Sequence, residues 1–161
     1  MSDNRQQPGA ANLDDAGYMQ LALEQARQAA DAGEVPVGAV IVLEDQIVCY
    51  GQNRNLRDHD PSAHAEIVAM RQAGEKLGNH RLSGCVLYAT MEPCAMCAGA
   101  MVHARIARLV YGAADPKAGA AGSVMEVINH PRLNHRMEVT SGILAEECSE
   151  LIKTFFRNRR V

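Results

Sequence analysis

The sequence predicts an α/β protein in which the strands of one sheet alternate along the chain with helices. Short runs rich in β-branched residues, typical of strands, are separated by longer segments whose apolar residues recur at helical spacing. Hydrophobic residues make up 47% of the 161 positions, enough to bury a substantial core. We therefore expect a single domain over residues 15–161, preceded by a polar, disordered N-terminal tail over residues 1–14.

Each element is predicted from its own local signal. Strands are favoured where β-formers cluster between turn residues, over residues 35–43, 46–51, 85–90, 108–113 and 137–140. Helices are favoured over residues 16–32, 64–77, 94–104, 124–129 and 144–157. Asp15 can cap the first helix, and Gly33 and Gly78 can end the first two. Pro93 suits the first turn of the third helix. The first two strands, separated by two polar residues, are expected to pair antiparallel.

Composition excludes several classes of protein. The net charge is −3 and aromatic residues make up 4% of the chain, with no tryptophan, which argues against a binder that stacks successive bases on aromatic side chains. The longest apolar stretches, residues 35–43 and 94–102, are far shorter than the roughly 20 residues that span a bilayer. The polar N-terminus has no apolar segment typical of a secretory signal. We therefore expect a cytoplasmic protein with no membrane partner.

Two short motifs predict a metal site. The first is His64-Ala65-Glu66, and the second places Cys94 and Cys97 three residues apart on one helix face. An imidazole with two thiolates selects zinc. Three protein ligands leave one tetrahedral position open, as in catalytic rather than structural zinc sites. Because the ligands lie at two helix N-termini, the positive ends of both helix dipoles favour negative charge there.

Two other interpretations of the cysteines stay open at this point. Cys94 and Cys97 could form a redox pair, although such motifs belong after the first strand of a βαβ unit. A closed structural zinc site would need a fourth ligand, for which Cys85 is the nearest cysteine. The solitary Cys49, Cys85 and Cys148 fit buried hydrophobic positions.

The two acidic residues beside these motifs receive different predictions. Glu66 lies two residues after His64, so on a helix it faces away from the ligand direction. Near the helix N-terminus it could still reach a water molecule on the metal, which is the position of a proton shuttle. Glu92, just before Pro93, is predicted to be a structural hydrogen-bond acceptor.

These residues identify a resemblance to the zinc-dependent deaminases, whose signature is H-x-E followed by P-C-x-x-C. From residue 18 to about residue 160 the chain resembles the bacterial tRNA-specific adenosine deaminases of the cytidine and deoxycytidylate deaminase superfamily. The matching stretches are EVPVGAV, NR (Asn53 and Arg54), HDPSAHAE, MEPCAMCAGAM, GAAGS and FFRNRR. The chain departs from the family at Gln52, where an aromatic residue is common, at Ala114, where a basic residue is common, and in the loop RNLRDHD.

The resemblance implies a three-layer cytidine-deaminase-like fold with a five-stranded mixed sheet flanked by helices. It implies one Zn²⁺ per subunit on His64, Cys94 and Cys97, with Glu66 as general acid and base. It also implies a homodimer and a set of residues that bind the substrate, namely Val35, Pro36, Asn53, Ala65 and Asp115.

The function implied is hydrolytic deamination of adenosine to inosine at the wobble position of tRNA, with release of ammonia. The expected partner is the anticodon stem-loop of an arginine tRNA, which presents its bases unstacked. Arg157, Arg159 and Arg160 could meet phosphates, or could form an ordinary solvated helix end. Two alternatives are a deaminase of a free base or nucleoside such as guanine or cytidine, and a catalytically inactive zinc module that binds RNA or another partner.

Overall fold

The computed structural model describes residues 13–159, which form five strands and four helices. In chain order they are α1 (Asp15–Asp31), β1 (Gly38–Leu43), β2 (Gln46–Gln52), α2 (Ala65–Leu77), β3 (Val86–Met91), α3 (Ala95–Ala104), β4 (Arg108–Ala113), β5 (Glu138–Thr140) and α4 (Ala145–Arg159). Over this part of the chain, no helix combines the length and the apolar character needed to cross a membrane.

The strands form one mixed sheet in the order β2-β1-β3-β4-β5. β1 pairs antiparallel with both β2 and β3, whereas β4 pairs parallel with β3 and β5. The predicted antiparallel pair and the five strands are confirmed. The order of the strands follows from long-range pairing and was not predicted from the sequence.

Alternate residues of the central strands face two different cores, as the period of a strand requires. Ile41, Leu87 and Leu109 pack in a cluster with residues of α2 and α3. Val40 and Val110 pack on the opposite face with residues of α1 and with Cys148 of α4. The protein therefore has the predicted three layers, with two helices on each side of the sheet.

The start of α1 differs from the prediction. Asp14, rather than Asp15, caps this helix, because its carboxylate accepts a hydrogen bond from the Gly17 amide at 2.8 Å. The Asp15 carboxylate instead accepts hydrogen bonds from Arg108 on β4. Of the predicted N-terminal tail, residues 1–12 lie outside the described residues, so the tail and its boundary stay predictions.

The segment between β4 and β5 is also different, because residues 124–129 form an irregular segment that ends in a turn rather than the predicted short helix. The amide of Val127 donates to Ala120 O, and Ala121 forms a bridge with Glu126. Backbone groups that a helix would bond internally are thus bonded to the preceding loop. Pro93 lies just before Cys94, which is the N-cap of α3, and so precedes the helix instead of opening it.

One edge of the sheet gathers the segments that carry the motifs. The carboxyl ends of β2 and β3 and the amino end of β1 lie there, because β1 runs antiparallel to both neighbours. A glycine on β2 brings α2 close to the sheet: a Cβ on Gly51 would lie 2.3 Å from Ala65 O. The first turn of α2 is therefore seated directly against β2.

Candidate metal centre and active-site pocket

The structure brings His64, Cys94 and Cys97 together, as the sequence predicts. His64 is the N-cap of α2, Cys94 is the N-cap of α3, and Cys97 lies in the first turn of α3. Neither cap side chain hydrogen-bonds its own helix, which leaves both free for other partners. His64 Nδ1 lies 3.6 Å from Cys94 Sγ and 3.5 Å from Cys97 Sγ.

These distances fit a tetrahedral zinc ion. Zinc–sulfur bonds of about 2.3 Å and zinc–nitrogen bonds of about 2.05 Å at tetrahedral angles imply a nitrogen–sulfur separation of about 3.6 Å. The three ligand atoms all lie within 4.8 Å of one another. The group can therefore hold a metal ion without rearrangement, and its soft donors suit zinc.

The two thiols differ in their readiness to ionise. A hydrogen bond from Cys97, together with one involving His64, lowers the pKa of Cys94 to about 3. The pKa of Cys97 is raised, because this thiol donates to Cys94 and is buried. The pKa of His64 is raised mainly by its hydrogen bond to Cys94. Without metal, Cys94 is therefore the thiolate of the pair, and metal binding would release the proton of Cys97.

No other residue completes a closed metal site in the described part of the chain. Cys85 precedes β3 whereas Cys94 follows it, so the two cysteines are separated by a six-residue strand of roughly 20 Å. Cys85 is fully buried in the core between the sheet, α2 and α3. The structure therefore argues against a fourth cysteine ligand and leaves one position of the metal site for water or substrate.

Glu66 is the acidic residue beside this group. It lies in the first turn of α2 and is only 3% exposed. Burial raises the pKa of its carboxyl, which is within hydrogen-bond reach of Cys97. Glu66 is not one of the three residues whose ligand atoms cluster. Its place beside the ligands fits a group that exchanges protons rather than one that binds the metal.

A cavity of about 650 Å³ opens onto these residues. Six of the nine predicted site residues line it: Val35, Asn53, His64, Glu66, Cys94 and Asp115. Cys97 lies beneath them, fully buried. Pro36 and Ala65 are buried and do not line the cavity, although the Ala65 amide bonds one residue that does. The substrate-binding roles of these residues stay predictions.

Asn53 is held in the cavity wall through both ends of its amide. Its Nδ2 donates to Val35 O at 3.1 Å, and its Oδ1 accepts from the Ala65 amide at 2.8 Å. An asparagine amide has two donors, so one N–H of Nδ2 remains for a ligand. The orientation of Asn53 is thus set by the protein before any substrate arrives.

Glu92 shapes the loop that carries Asp115. It is 2% exposed and accepts hydrogen bonds from the amides of Asp115, Ala121 and Ser123 and from the Ser123 hydroxyl. Burial acts to raise the pKa of Glu92, but these bonds outweigh burial and lower it. A Cβ on Gly119 would lie 2.3 Å from the Glu92 carboxyl carbon, so only glycine fits there. The prediction that Glu92 is a structural acceptor is confirmed.

Sequence reasoning missed the part of the cavity wall that α4 supplies. Ser149, Ile152, Lys153 and Phe156 line the cavity from this helix. Their spacing of three or four residues marks one helix face, but nothing local indicates what that face covers. The predicted basic C-terminus is only partly described, because Arg160 lies outside the described residues.

Two arginines near this C-terminus contact the protein itself. Arg157 pairs with Glu150 at 3.6 Å. Arg159 donates to Gly33 O at 2.9 Å and lies over the Phe155 ring. These contacts support an ordinary helix end for both side chains.

Comparison with known proteins agrees with this geometry. A model of the MafB19-like deaminase family matches residues 13–160. A tRNA-specific adenosine deaminase from Haemophilus influenzae is 50% identical over 147 residues, which are 91% of this chain and 85% of that protein.

Two solved structures distinguish branches of the fold. One, from work on A-to-I editing by tRNA:A34 deaminases at the wobble position of transfer RNA, is 46% identical with a TM-score of 0.81 and covers 83% of this chain and 97% of that chain. The other, a guanine deaminase from Bacillus subtilis, is 32% identical with a TM-score of 0.62 and covers 91% and 95%. Sequence identity favours the first branch, and the chain belongs to the family of tRNA-specific adenosine deaminases.

Proposed function

We propose that this protein deaminates adenosine to inosine at the wobble position of tRNA, with zinc on His64, Cys94 and Cys97. The observation that carries the proposal is the cluster of these three residues beside a buried carboxylate at a cavity. A volume of about 650 Å³ falls within the range of small-molecule sites and can admit one purine nucleotide. The balanced reaction takes up one water and releases one ammonia.

When bound, zinc supplies a Lewis acid that makes water a nucleophile near neutral pH. Glu66 takes a proton from the attacking water and delivers it to N1 of the base. The same carboxylate then takes the proton of the hydroxyl group added at C6 and passes it to the amine. The C6–N bond breaks, ammonia departs and the C6 carbonyl of inosine forms. The remaining N–H of Asn53 orients the base, and burial of Glu66 keeps bulk water away from the transferred proton.

The substrate would reach this site as an unstacked nucleotide. An anticodon loop presents one at low cost, whereas a duplex would have to open. Lys117 and Lys153 line the cavity, and their positive charges suit the phosphates on either side of this nucleotide. We propose that the substrate is an arginine tRNA and that the reaction takes place in the cytoplasm, as we expect from the sequence.

The test is deamination of an arginine tRNA stem-loop with adenosine at the wobble position, compared with free adenosine, cytidine and guanine. We expect inosine at the wobble position only. Glu66→Gln should abolish turnover while the protein retains zinc and binds the stem-loop, and the exposed Glu24→Gln on α1 serves as the matched control. Turnover of a free base with unchanged tRNA would overturn the RNA substrate. Stem-loop binding without any turnover would indicate a binding module.

We also propose that two copies associate through the surface between α2 and α3. An open groove of about 820 Å³ lies there, with Ile67, Met70 and Leu82 among its walls. Light scattering after gel filtration should give a dimer. Ala100→Glu, which places a charge in the groove, should give a monomer, whereas Gln72→Glu on the exposed side of α2 should remain dimeric. A monomeric wild-type protein would refute this part of the proposal.

A further inference from the structure

Arg57 lies in the irregular loop between β2 and α2, and its guanidinium meets three acceptors. Nε donates to Glu34 at 3.1 Å, and Nη2 donates to Gln52 Oε1 at 2.9 Å and to Asn53 O. The side chain is 29% exposed, and the Glu34 side chain is 2% exposed. Arg57 therefore links a buried carboxylate to the backbone of Asn53.

The same carboxylate holds the backbone of the loop. Glu34 accepts hydrogen bonds from the amides of Leu56 at 3.1 Å and Arg57 at 2.9 Å. Burial acts to raise the pKa of Glu34, but these bonds and the guanidinium outweigh burial and lower it. Glu34 is thus an anion at neutral pH, and it fixes the loop through both backbone and side-chain contacts.

The contacts that Arg57 makes with Glu34 and Gln52, which we call the clamp, are connected to the site through Asn53. Arg57 holds the carbonyl of Asn53, and the Asn53 side chain bonds both Val35 O and the Ala65 amide. Ala65 stands between His64 and Glu66, at the first turn of α2. Displacement of the loop would therefore shift Asn53 in the cavity wall and loosen the support of that turn.

Arg57 itself is not among the residues that line the cavity. Its partner Gln52 is in turn fixed by Gln25 and Gln28 of α1, whose side-chain oxygens accept hydrogen bonds from Gln52 Nε2 at 3.0 and 3.2 Å. The clamp is therefore supported by the scaffold and independent of a bound substrate.

We propose that Arg57 is a positioning residue for deamination, acting through Asn53 and the first turn of α2. The proposal rests on the proposed function. Arg57 acts on the rate of the bound complex and not on the affinity for RNA, because its Nε and Nη2 donors are bonded within the protein and its side chain does not line the cavity.

The experiment compares Arg57→Ala and Arg57→Lys with wild type under single-turnover conditions at saturating stem-loop. Lysine retains the charge but lacks the planar fork that reaches several acceptors. Arg54→Ala is the matched control, because Arg54 lies in the same loop and pairs at its surface with Asp58. Zinc content and thermal midpoint of each variant establish that it is folded. Gln52→Ala is a milder second variant, which removes one acceptor of the Arg57 guanidinium together with the bonds to Gln25 and Gln28.

We expect Arg57→Ala to lower the rate constant about 10-fold or more, since displacement of a positioned group by about 1 Å can cost up to about 100-fold. Arg57→Lys should lower it less, and Arg54→Ala should stay within about twofold of wild type. The dissociation constant for the stem-loop and its salt dependence should not change. Amide exchange over residues 56–65 should be faster in Arg57→Ala.

Two results would overturn the proposal. One is a wild-type rate constant in Arg57→Ala. The other is a lower affinity for the stem-loop, with the slope of the logarithm of the binding constant against the logarithm of salt concentration smaller by roughly 0.7–0.9. That result would make Arg57 a phosphate contact. If wild type makes no inosine, the proposed function fails separately. Amide exchange still tests the clamp in that case, and unchanged exchange in Arg57→Ala would overturn it.

Discussion

Replacement of Glu92 by glutamine should destabilise the protein, although the two side chains have the same shape. The carboxylate receives four donors: Asp115 N and the Ser123 hydroxyl at one oxygen, and the amides of Ala121 and Ser123 at the other. A glutamine can accept at only one oxygen. The better orientation of the glutamine amide places its nitrogen next to the Ser123 hydroxyl, because that hydroxyl can rotate and accept a hydrogen bond.

In that orientation one partly buried donor, the amide of Asp115, loses its acceptor, which costs about 1–3 kcal/mol. The two remaining backbone bonds lose the assistance of a charge, at roughly 0.5 kcal/mol each or somewhat more. The free energy of unfolding should therefore fall by about 2–4 kcal/mol. For a chain of this length the thermal midpoint should fall by roughly 4–16 °C.

Urea unfolding and a thermal melt, both followed by circular dichroism, measure these changes. Glu126→Gln is the matched control, because the exposed Glu126 accepts a hydrogen bond from the amide of Asn129 alone. Glu92→Ala, which leaves all four donors without their acceptor, should be less stable than Glu92→Gln. If Glu92→Gln unfolds within about 0.5 kcal/mol of wild type, as surface substitutions do, the reasoning is refuted.

Three further predictions follow from other contacts. The guanidinium of Arg108 lowers the pKa of Asp15, so this pair stabilises the protein above the unfolded aspartate pKa of about 3.9 and is lost as pH falls below it. Asp15→Asn should lower the free energy of unfolding, measured in urea at pH 7, by about 1–3 kcal/mol. The difference between variant and wild type should shrink below about pH 4, and a difference that stays constant with pH would contradict this reasoning. Gly51→Ala should cost about 1–3 kcal/mol and weaken zinc binding, because the new methyl group meets Ala65 O, whereas Gly99→Ala, which meets nothing within 4 Å, should be neutral or stabilising. Removal of zinc by a chelator should abolish deamination and lower the thermal midpoint, and added zinc should restore both; full activity in protein shown to be free of metal would refute the metal's role.

Local signals were enough to predict the elements of the fold. Apolar spacing and terminal residues placed β4 correctly and the other strands and the four helices within a few residues. The helix predicted over residues 124–129 is wrong, because the backbone groups of this segment bond Ala120 and a neighbouring loop rather than one another. The cap of α1 was wrong by one residue, since Asp15 finds Arg108 ninety-three positions away. Such partners cannot be seen within a window of sequence.

The chemistry of the site was easier to predict than its walls. Metal ligands are few residue types in fixed spacing, so His64, Cys94 and Cys97 stand out in the sequence. The wall from α4 depends on how that helix packs on β4. A Cβ on Gly112 would lie 2.5 Å from Cys148 Sγ, so the helix approaches the sheet closely there. A glycine and a cysteine thirty-six residues apart carry no recognisable motif, and neither indicates that Phe156 of the same helix lines the cavity.

The metal motif nevertheless constrains the topology more than the elements alone do. His64 opens the helix that follows β2, and Cys94 opens the helix that follows β3. These helices can start side by side only if β2 and β3 run in the same direction. β2 and β3 are not direct neighbours, because each of them pairs with β1. β1 therefore lies between these two strands and runs antiparallel to both. Two strand spacings of about 4.8 Å then separate β2 from β3, close to the 8–10 Å at which helices pack. The fit between these two lengths allows one imidazole and two thiols, from helices on one face of the sheet, to meet at a single ion.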